Sequence, residues 1–351
     1  TDNLSDPEIA LPGENFNTLL YTGTGATNAR TGLGFQPDFT WIKRRSSGTQ
    51  HMLFDSIRLA PQYLVSNDTD AEATDANQLE SFDSDGFTVG SGSSTNGTSA
   101  SFVGWNWKAG TSFDPKDDGD ITVASGSKNV TAGFSIVKYT GESGSPTVGH
   151  GLGVTPDMII IKNLDDTKDW NVISPDNIST TNRLVLNDTG AQTSGSGLVS
   201  PYINSTIFKL DDGTTRTNDG SSDYIAYCFA NIEGYSKIGT YVGNGGADGP
   251  FVYTGFKPAF MLTKGYSIAT LHWFLFDDER MPYNPTVPDA DYSTGIDADE
   301  VTMTAGQGPG PWDLLSNGFK IRNSAGNPNN DGTSFIYYAV AENPFKYSNA
   351  R

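Results

Sequence analysis

The chain has 351 residues, 40 of them Gly and 18 Pro, and a formal net charge of −19. That charge excludes a phosphate-binding surface for nucleic acid and docking on an anionic membrane, both of which need Lys and Arg in excess. Charged residues make up only 18%, which excludes long solvent-exposed helices, and no apolar run reaches the roughly 20 residues of a membrane span.

Residues 1–13, with Pro7 and Pro12, read as an N-terminal arm. The sequence opens on Thr1 rather than Met and shows no signal peptide, so an upstream segment is expected, either removed or outside the sequence. The first unit, 14–110, opens with Tyr21-Thr22-Gly23 and reaches Gly34-Phe35-Gln36-Pro37, then Asp38-Phe39-Thr40-Trp41-Ile42-Lys43. Pro restricts itself and the residue before it, so the turn ends there and a strand rich in β-branched and aromatic residues follows. Lys43 closes that strand, where its long stem is expected to carry the amine to water. Asp85-Gly86 before Phe87 signals a tight turn. Phe102-Val103-Gly104-Trp105-Asn106-Trp107 closes the unit as a core strand.

Residues 111–132, which include Asp114-Pro115-Lys116-Asp117-Asp118-Gly119-Asp120, read as a polar linker. The second unit, 133–232, repeats the pattern with Tyr139-Thr140-Gly141, Gly153-Val154-Thr155-Pro156, Lys162, Phe208 and Tyr224-Ile225-Ala226-Tyr227-Cys228-Phe229. The third, 233–351, repeats it with Tyr241-Val242-Gly243, Gly255-Phe256-Lys257-Pro258, Lys264, Asn317-Gly318-Phe319 and Phe335-Ile336-Tyr337-Tyr338-Ala339-Val340. The Pro-to-Lys separation is six residues in all three. Self-similarity of this kind marks a duplicated unit. The expected fold is all-β: three tandem β-sandwich (jelly-roll-like) repeats, set as beads in a row, with the last two abutting at Ile232-Glu233-Gly234. The lone Cys228 allows no intramolecular disulfide, which fits folding in a reducing cytoplasm.

The units resemble a repeat of virion structural proteins from tailed bacteriophages, marine and cyanobacterial ones above all. The resemblance rests on the Gly34 to Lys43 run, His51-Met52-Leu53-Phe54-Asp55-Ser56-Ile57-Arg58, Tyr63-Leu64-Val65-Ser66-Asn67, Phe82, Asp85-Gly86-Phe87-Thr88-Val89 and the Trp105/Trp107 strand. Ala341-Glu342-Asn343-Pro344-Phe345-Lys346-Tyr347 is similar to the terminal signature of such proteins, and the likeness covers nearly the whole chain past residue 14. It implies a non-enzymatic protein on the virion exterior, as capsid decoration, head fibre or tail fibre. Other virion proteins and further copies of the chain are the implied partners. It carries over no catalytic residue. The second unit departs from the pattern, with Ser174-Pro175-Asp176 where the first has Asp55-Ser56-Ile57-Arg58. A shared scaffold is therefore implied, rather than a ligand shared by all three units.

The candidate chemistry is sparse. His51, Asp55 and Arg58 form a conceivable acid–base cluster, but the third unit keeps Asp277 and Arg280 with Trp273 in place of the His. A structural Asp/Arg pair is the expected reading. The three histidines, His51, His150 and His272, show no metal-ligand spacing. Asp83-Ser84-Asp85-Gly86 and Asp211-Asp212-Gly213 lack the further ligands of a calcium loop, so no metal or cofactor is expected, with Ca2+ between loops as the alternative. Asp165-Asp166 and Asp277-Asp278 are sequence neighbours that point to opposite faces of a strand, unlike the facing carboxylates of glycoside hydrolysis.

The third unit is longer by about ten residues in the loop 282–312, the place where repeat scaffolds build binding faces. Tyr283, Tyr292 and Trp312, flanked by Asp289, Asp291, Asp297 and Asp299, are the candidate ligand contacts. Aromatic faces beside carboxylates suit stacking and hydrogen bonding of a bacterial surface glycan. Host attachment through a receptor- or glycan-binding module at a fibre tip is the alternative function, and a subunit contact is the competing use of the loop.

Overall fold

The computed structural model describes residues 6–281, 284, 296–297, 312–322, 324 and 327–347. Among them the chain is all-β: six antiparallel sheets hold the strands, and the one α-helical segment is a single turn, Ser93–Asn96. Short apolar runs punctuated by Gly, Pro and Asx residues leave no stretch in which a helix can propagate.

The sheets form three pairs, each a large sheet and a three-stranded one with an apolar filling between them. In the first pair the large sheet runs Phe16–Thr22, Ser101–Trp107, Phe39–Arg44, Met52–Asp55, Gln62–Val65, Ala73–Thr74, and the small one Asn28–Thr31, Gly86–Val89, Leu79–Asp83. Tyr21, Ile42, Phe54, Phe87 and Phe102 lie in its filling. The second pair repeats this order with Phe134–Thr140, Asp223–Phe229, Met158–Asn163, Asn171–Ile173, Asn182–Val185 and Thr193–Ser194, beside Thr147–Gly149, Ile207–Leu210 and Leu198–Ile203. The third has Ser236–Val242, Ser334–Pro344, Phe256–Gly265, Trp273–Asp277 and Ile296–Asp297, beside Phe251–Tyr253, Gly318–Ile321 and Trp312–Leu315. Each time the opening strand lies beside the closing one, and on its other side lies the strand that follows the Gly-x-x-Pro motif or, in the third pair, begins within it.

The pairs are not beads in a row. Their large sheets turn their second faces toward one another and bury a common core. Side chains alternate along a strand, so the closing strands feed two cores at once. Phe102, Tyr224 and Phe335 point into their own pair. Val103, Trp105 and Trp107, then Ile225, Tyr227 and Phe229, then Ile336, Tyr338 and Val340, point into the common core. Phe39 packs on Tyr227 with ring centroids 4.5 Å apart, Phe229 on Tyr338 at 4.9 Å, and Phe260 on Trp107 at 5.3 Å, so each pair touches the other two. Only about 20 Å³ stays empty where they meet, lined by Trp41, Trp107, Ile160, Trp170, Phe260 and their neighbours.

The expected linker, 111–132, is also corrected. Thr111–Phe113 and Ala124–Asn129 are strands that extend the second large sheet beyond Phe134–Thr140. Gly126 permits this, because the Phe113 ring occupies the space that a Cβ there would take. The described part of the arm, residues 6–13, is held to the body: Ile9 lies in the common core, and the Asp6 carboxylate accepts from Lys346 Nζ at 2.6 Å.

One buried device recurs in each pair and was not foreseen. Asn96, Asn218 and Asn329 stand six residues before the first aromatic of their closing strands. All three are fully buried. Their side-chain oxygens accept from Thr24 N, Glu142 N and Asn244 N, and their amides donate to Ala26 O, Gly144 O and Gly246 O. The loop after the Tyr-x-Gly motif is sewn down this way. The Tyr hydroxyls donate to the carbonyl just before each Asn, at Thr95, Thr217 and Pro328. Asn218→Ala leaves the half-buried Glu142 N and Gly144 O without their partner and is expected to cost about 1–2 kcal/mol in a urea melt.

Candidate functional site

Asp55 and Arg58 form a buried ion pair at 2.5 Å, as do Asp277 and Arg280. The chain turns after Met52–Asp55 and after Trp273–Asp277 so that each Asp also caps the backbone N–H of its Arg, at 2.8 Å in both. Burial disfavours the Arg58 cation, but Asp55, Tyr227 and Glu72 together hold its pKa above the ordinary value. His51 is buried, and its Nδ1 accepts from Trp41 Nε1 at 2.8 Å. These groups are structural members of the common core and present no face to a substrate.

The same corners weld one sheet pair to the next. Tyr227 Oη donates to Asp55 Oδ2 at 2.7 Å, and Trp105 Nε1 donates to Asp277 Oδ2 at 2.9 Å. Trp170 Nε1 donates to Val65 O, and Trp273 Nε1 to Val185 O. Two of the strand-end lysines join this set, and all three depart from the expectation that their amines reach water. Lys43, Lys162 and Lys264 are fully buried. Lys162 Nζ donates to Thr69 O in the first pair, and Lys264 Nζ to Asp188 O in the second, both at 3.1 Å. Burial lowers the Lys162 pKa to about 8. The lone thiol, Cys228, is buried and pushed up to about 12 by that burial.

The predicted ligand loop fares differently at each residue. Trp312 is fully buried, edge-on to Phe274 and Phe276 at 5.1 and 5.0 Å. It is the first residue of a core strand, so it offers no face to a sugar, and its placement in the ligand site is corrected. Tyr283, Tyr292, Asp289, Asp291 and Asp299 lie outside the described residues. The acidic turns are used locally: Asp85 accepts from Gly32 N and Gly34 N, and Asp83 from Ser81 and Thr88 hydroxyls.

The surface aromatics gather elsewhere. Among the described residues, the exposed ones are Phe251 (45%), Tyr253 (62%), Phe345 (38%) and Tyr347 (47%), all in the third pair. Tyr253 and Phe345 line one groove of about 680 Å³, with Asp6, Glu8, Glu233, Lys237 and Lys346 along it. Phe251 sits two residues from Tyr253 on the same face of its strand. Tyr347 Oη donates to Asp6, a groove residue, at 3.1 Å. The floor is fixed by Asn231, which is held by Asp157 and holds the backbone N–H of Ile238. Aromatic rings beside carboxylates, amines and an amide can stack on an apolar face and hydrogen-bond at its rim. The run Phe251-Val252-Tyr253 was visible in the sequence, but alternation alone does not say which face meets solvent.

One titratable group carries a pH prediction. His150 Nδ1 accepts from Leu152 N and its Nε2 faces Asn204 O, so the ring is held neutral. Burial lowers its pKa to about 4. The folded pKa lies below the unfolded one, so this contribution is full above pH 6.5 and is lost as pH falls toward 4. The loss is roughly 3 kcal/mol. Urea melts between those pH values should show a steeper acid loss in the wild-type protein than in His150→Gln.

Together these features define an all-β protein whose sheets share one core and which carries an aromatic groove where its first and last described segments meet. Residues 11–344 match the family described as Domain of unknown function (DUF7483), and the chain belongs to that family. No curated protein and no solved structure matches it at a meaningful level.

Proposed function

We propose that the chain is a non-enzymatic structural component of the exterior of a tailed-phage virion. On this reading it consists of three tandem β-sandwich copies gathered around one axis. It serves as a rigid spacer or contact body, in a capsid decoration, a head fibre or a tail fibre, among other virion proteins and further copies of itself. The observation that carries the proposal is the common core. Cross-links such as Tyr227 to Asp55 and Trp105 to Asp277 bind the sheet pairs into one stiff unit. A buried polar network of this kind rigidifies when fully satisfied, and stiffness suits a part that holds other parts in place. The sequence resemblance to phage virion repeats supplies the location. The test is peptide mass spectrometry of purified particles, followed by gold-labelled antibody against the chain. Its absence from washed particles overturns the proposal.

A receptor- or glycan-binding role at a fibre tip is the second reading, favoured by exposed Tyr253 and Phe345 in one groove, with exposed Phe251 and Tyr347 close by in the chain. Affinity electrophoresis through gels containing dextran, mannan or host lipopolysaccharide tests it. Retardation that disappears in Tyr253→Ala supports it, and unretarded migration in every gel removes it.

A further inference from the structure

The second and third sheet pairs treat one equivalent edge in opposite ways. In the second pair the edge strand is Thr147–Gly149, and in the third it is Phe251–Tyr253. Their equivalence is set by the neighbouring strand: Leu210 N donates to Pro146 O, and Ile321 N donates to Pro250 O. The next residue, Thr147 or Phe251, therefore turns its own N–H and C=O outward.

At Thr147 that outward edge is occupied by the chain itself. Asp120 N and Ile121 N both donate to Thr147 O at 3.0 Å, and the Asp120 carboxylate accepts from Thr147 N and its hydroxyl. Pro115 O lies where a Cβ on Gly149 would be. Small residues stand beneath this cover. Among the described residues the third pair has no covering segment: its opening strand begins at Ser236, shortly after the second pair closes at Phe229. Its edge carries Phe251 and Tyr253 in place of Thr147 and Gly149, and both rings are exposed. Phe251 N and O have no partner among the described residues. Proteins normally shield an open edge with charge or Pro inside the strand; this one displays two aromatic rings.

We propose that Phe251–Tyr253 is a self-association edge, closed by the same strand of a second copy of this chain. The pairing is antiparallel about a twofold axis at Val252. Phe251 of each copy exchanges N–H and C=O with Tyr253 of the other, and the two aromatic pairs pack on one face. A twofold contact suits this edge because its two outward residues are chemically alike. The charges beside it are already paired: Lys320 with Asp248 at 2.7 Å, and Arg322 with Asp313 at 2.5 Å. Phe345, across the groove from Tyr253, lies beside the contact. The inference does not depend on a location in the virion.

The test is sedimentation equilibrium of the full chain from about 1 μM to 1 mM, at low and high salt. A monomer–dimer equilibrium that tightens with salt is expected, because two copies of charge −19 repel over their remaining surface. Tyr253→Ala keeps the outward N–H and loses the ring. Tyr253→Pro loses both, yet spares the ladder to Gly318–Ile321, because that N–H faces away from it. Association of the Pro variant should be about thirtyfold weaker than that of the Ala variant, because the symmetric contact loses two main-chain hydrogen bonds, one donated by each copy. Hydrogen exchange at Phe251 and Tyr253 should slow with concentration, which keeps the test decisive if the Pro variant folds poorly. A monomer at every concentration overturns the proposal. So does equal dimerisation of the Ala and Pro variants, or exchange at these amides that ignores concentration; a strand supplied by another protein would then be the remaining occupant.

Discussion

Asp55→Ser alone is expected to lower stability by about 3–5 kcal/mol, while Asp55→Ser combined with Arg58→Asn should recover most of the loss. The single change strips a buried guanidinium of the carboxylate that it meets at 2.5 Å. What remains around Arg58 is Leu53 O, the Tyr227 hydroxyl and one half-buried carboxylate, Glu72, which meets a single guanidinium nitrogen at 3.2 Å and leaves Nε without its acceptor. The double change copies what the second sheet pair already does. There Ser174 and Asn177 occupy the corner, with Asn177 Nδ2 donating to Ser174 Oγ at 3.0 Å and Ser174 Oγ donating to Asp157 O. The same backbone thus closes with a neutral pair. Urea denaturation of the two variants measures the difference. If both lose equally, the corner depends on shape and not on balanced charge.

Phe260→Ala should produce a comparable loss, about 3–5 kcal/mol, and its manner matters more than its size. Phe260 belongs to the third pair, but its ring packs on Phe16, Trp105 and Trp107 of the first pair and on Tyr338 of its own. Scanning calorimetry should show one transition, with calorimetric and van't Hoff enthalpies in agreement, and the variant should move that transition as a whole. Independent beads would instead give separate transitions, only one of which would shift.

The sequence announced the strands more clearly than their assembly. The Pro-to-Lys spacing, the turns before Phe87 and Phe319 and the Asp/Arg pairs are local, and local geometry settled them. The common core was harder to see, yet its trace was present. Trp105, Asn106 and Trp107, or Ile225 to Phe229, are apolar or buried on both faces, and a strand with only one core behind it alternates instead. Lys43, Lys162 and Lys264 were misjudged for the same reason: a strand end next to solvent in an isolated unit becomes a seam when three units close together. Residues 111–132 looked like a linker because Asp, Gly and Pro crowd 114–120, although small residues are what a strand needs when it lies beneath a ring such as Phe113. Trp312 was assigned to a ligand by its position in a long loop, while Trp312-Asp313-Leu314 carried the alternation of a strand. The groove gathers residues 6–8, 231–237, 253–255 and 344–346, and no spacing in the chain links such distant segments.

The three corners are alike in position but not in chemistry. Two use an acid and a guanidinium, and the third uses Ser174 and Asn177, with Tyr338 taking its hydrogen bond from Trp107 instead. A true homotrimer repeats every substitution at each subunit and cannot hold such a difference. A single polypeptide can, so mutation is free to specialise one corner, one edge or one groove while its two counterparts keep the body closed.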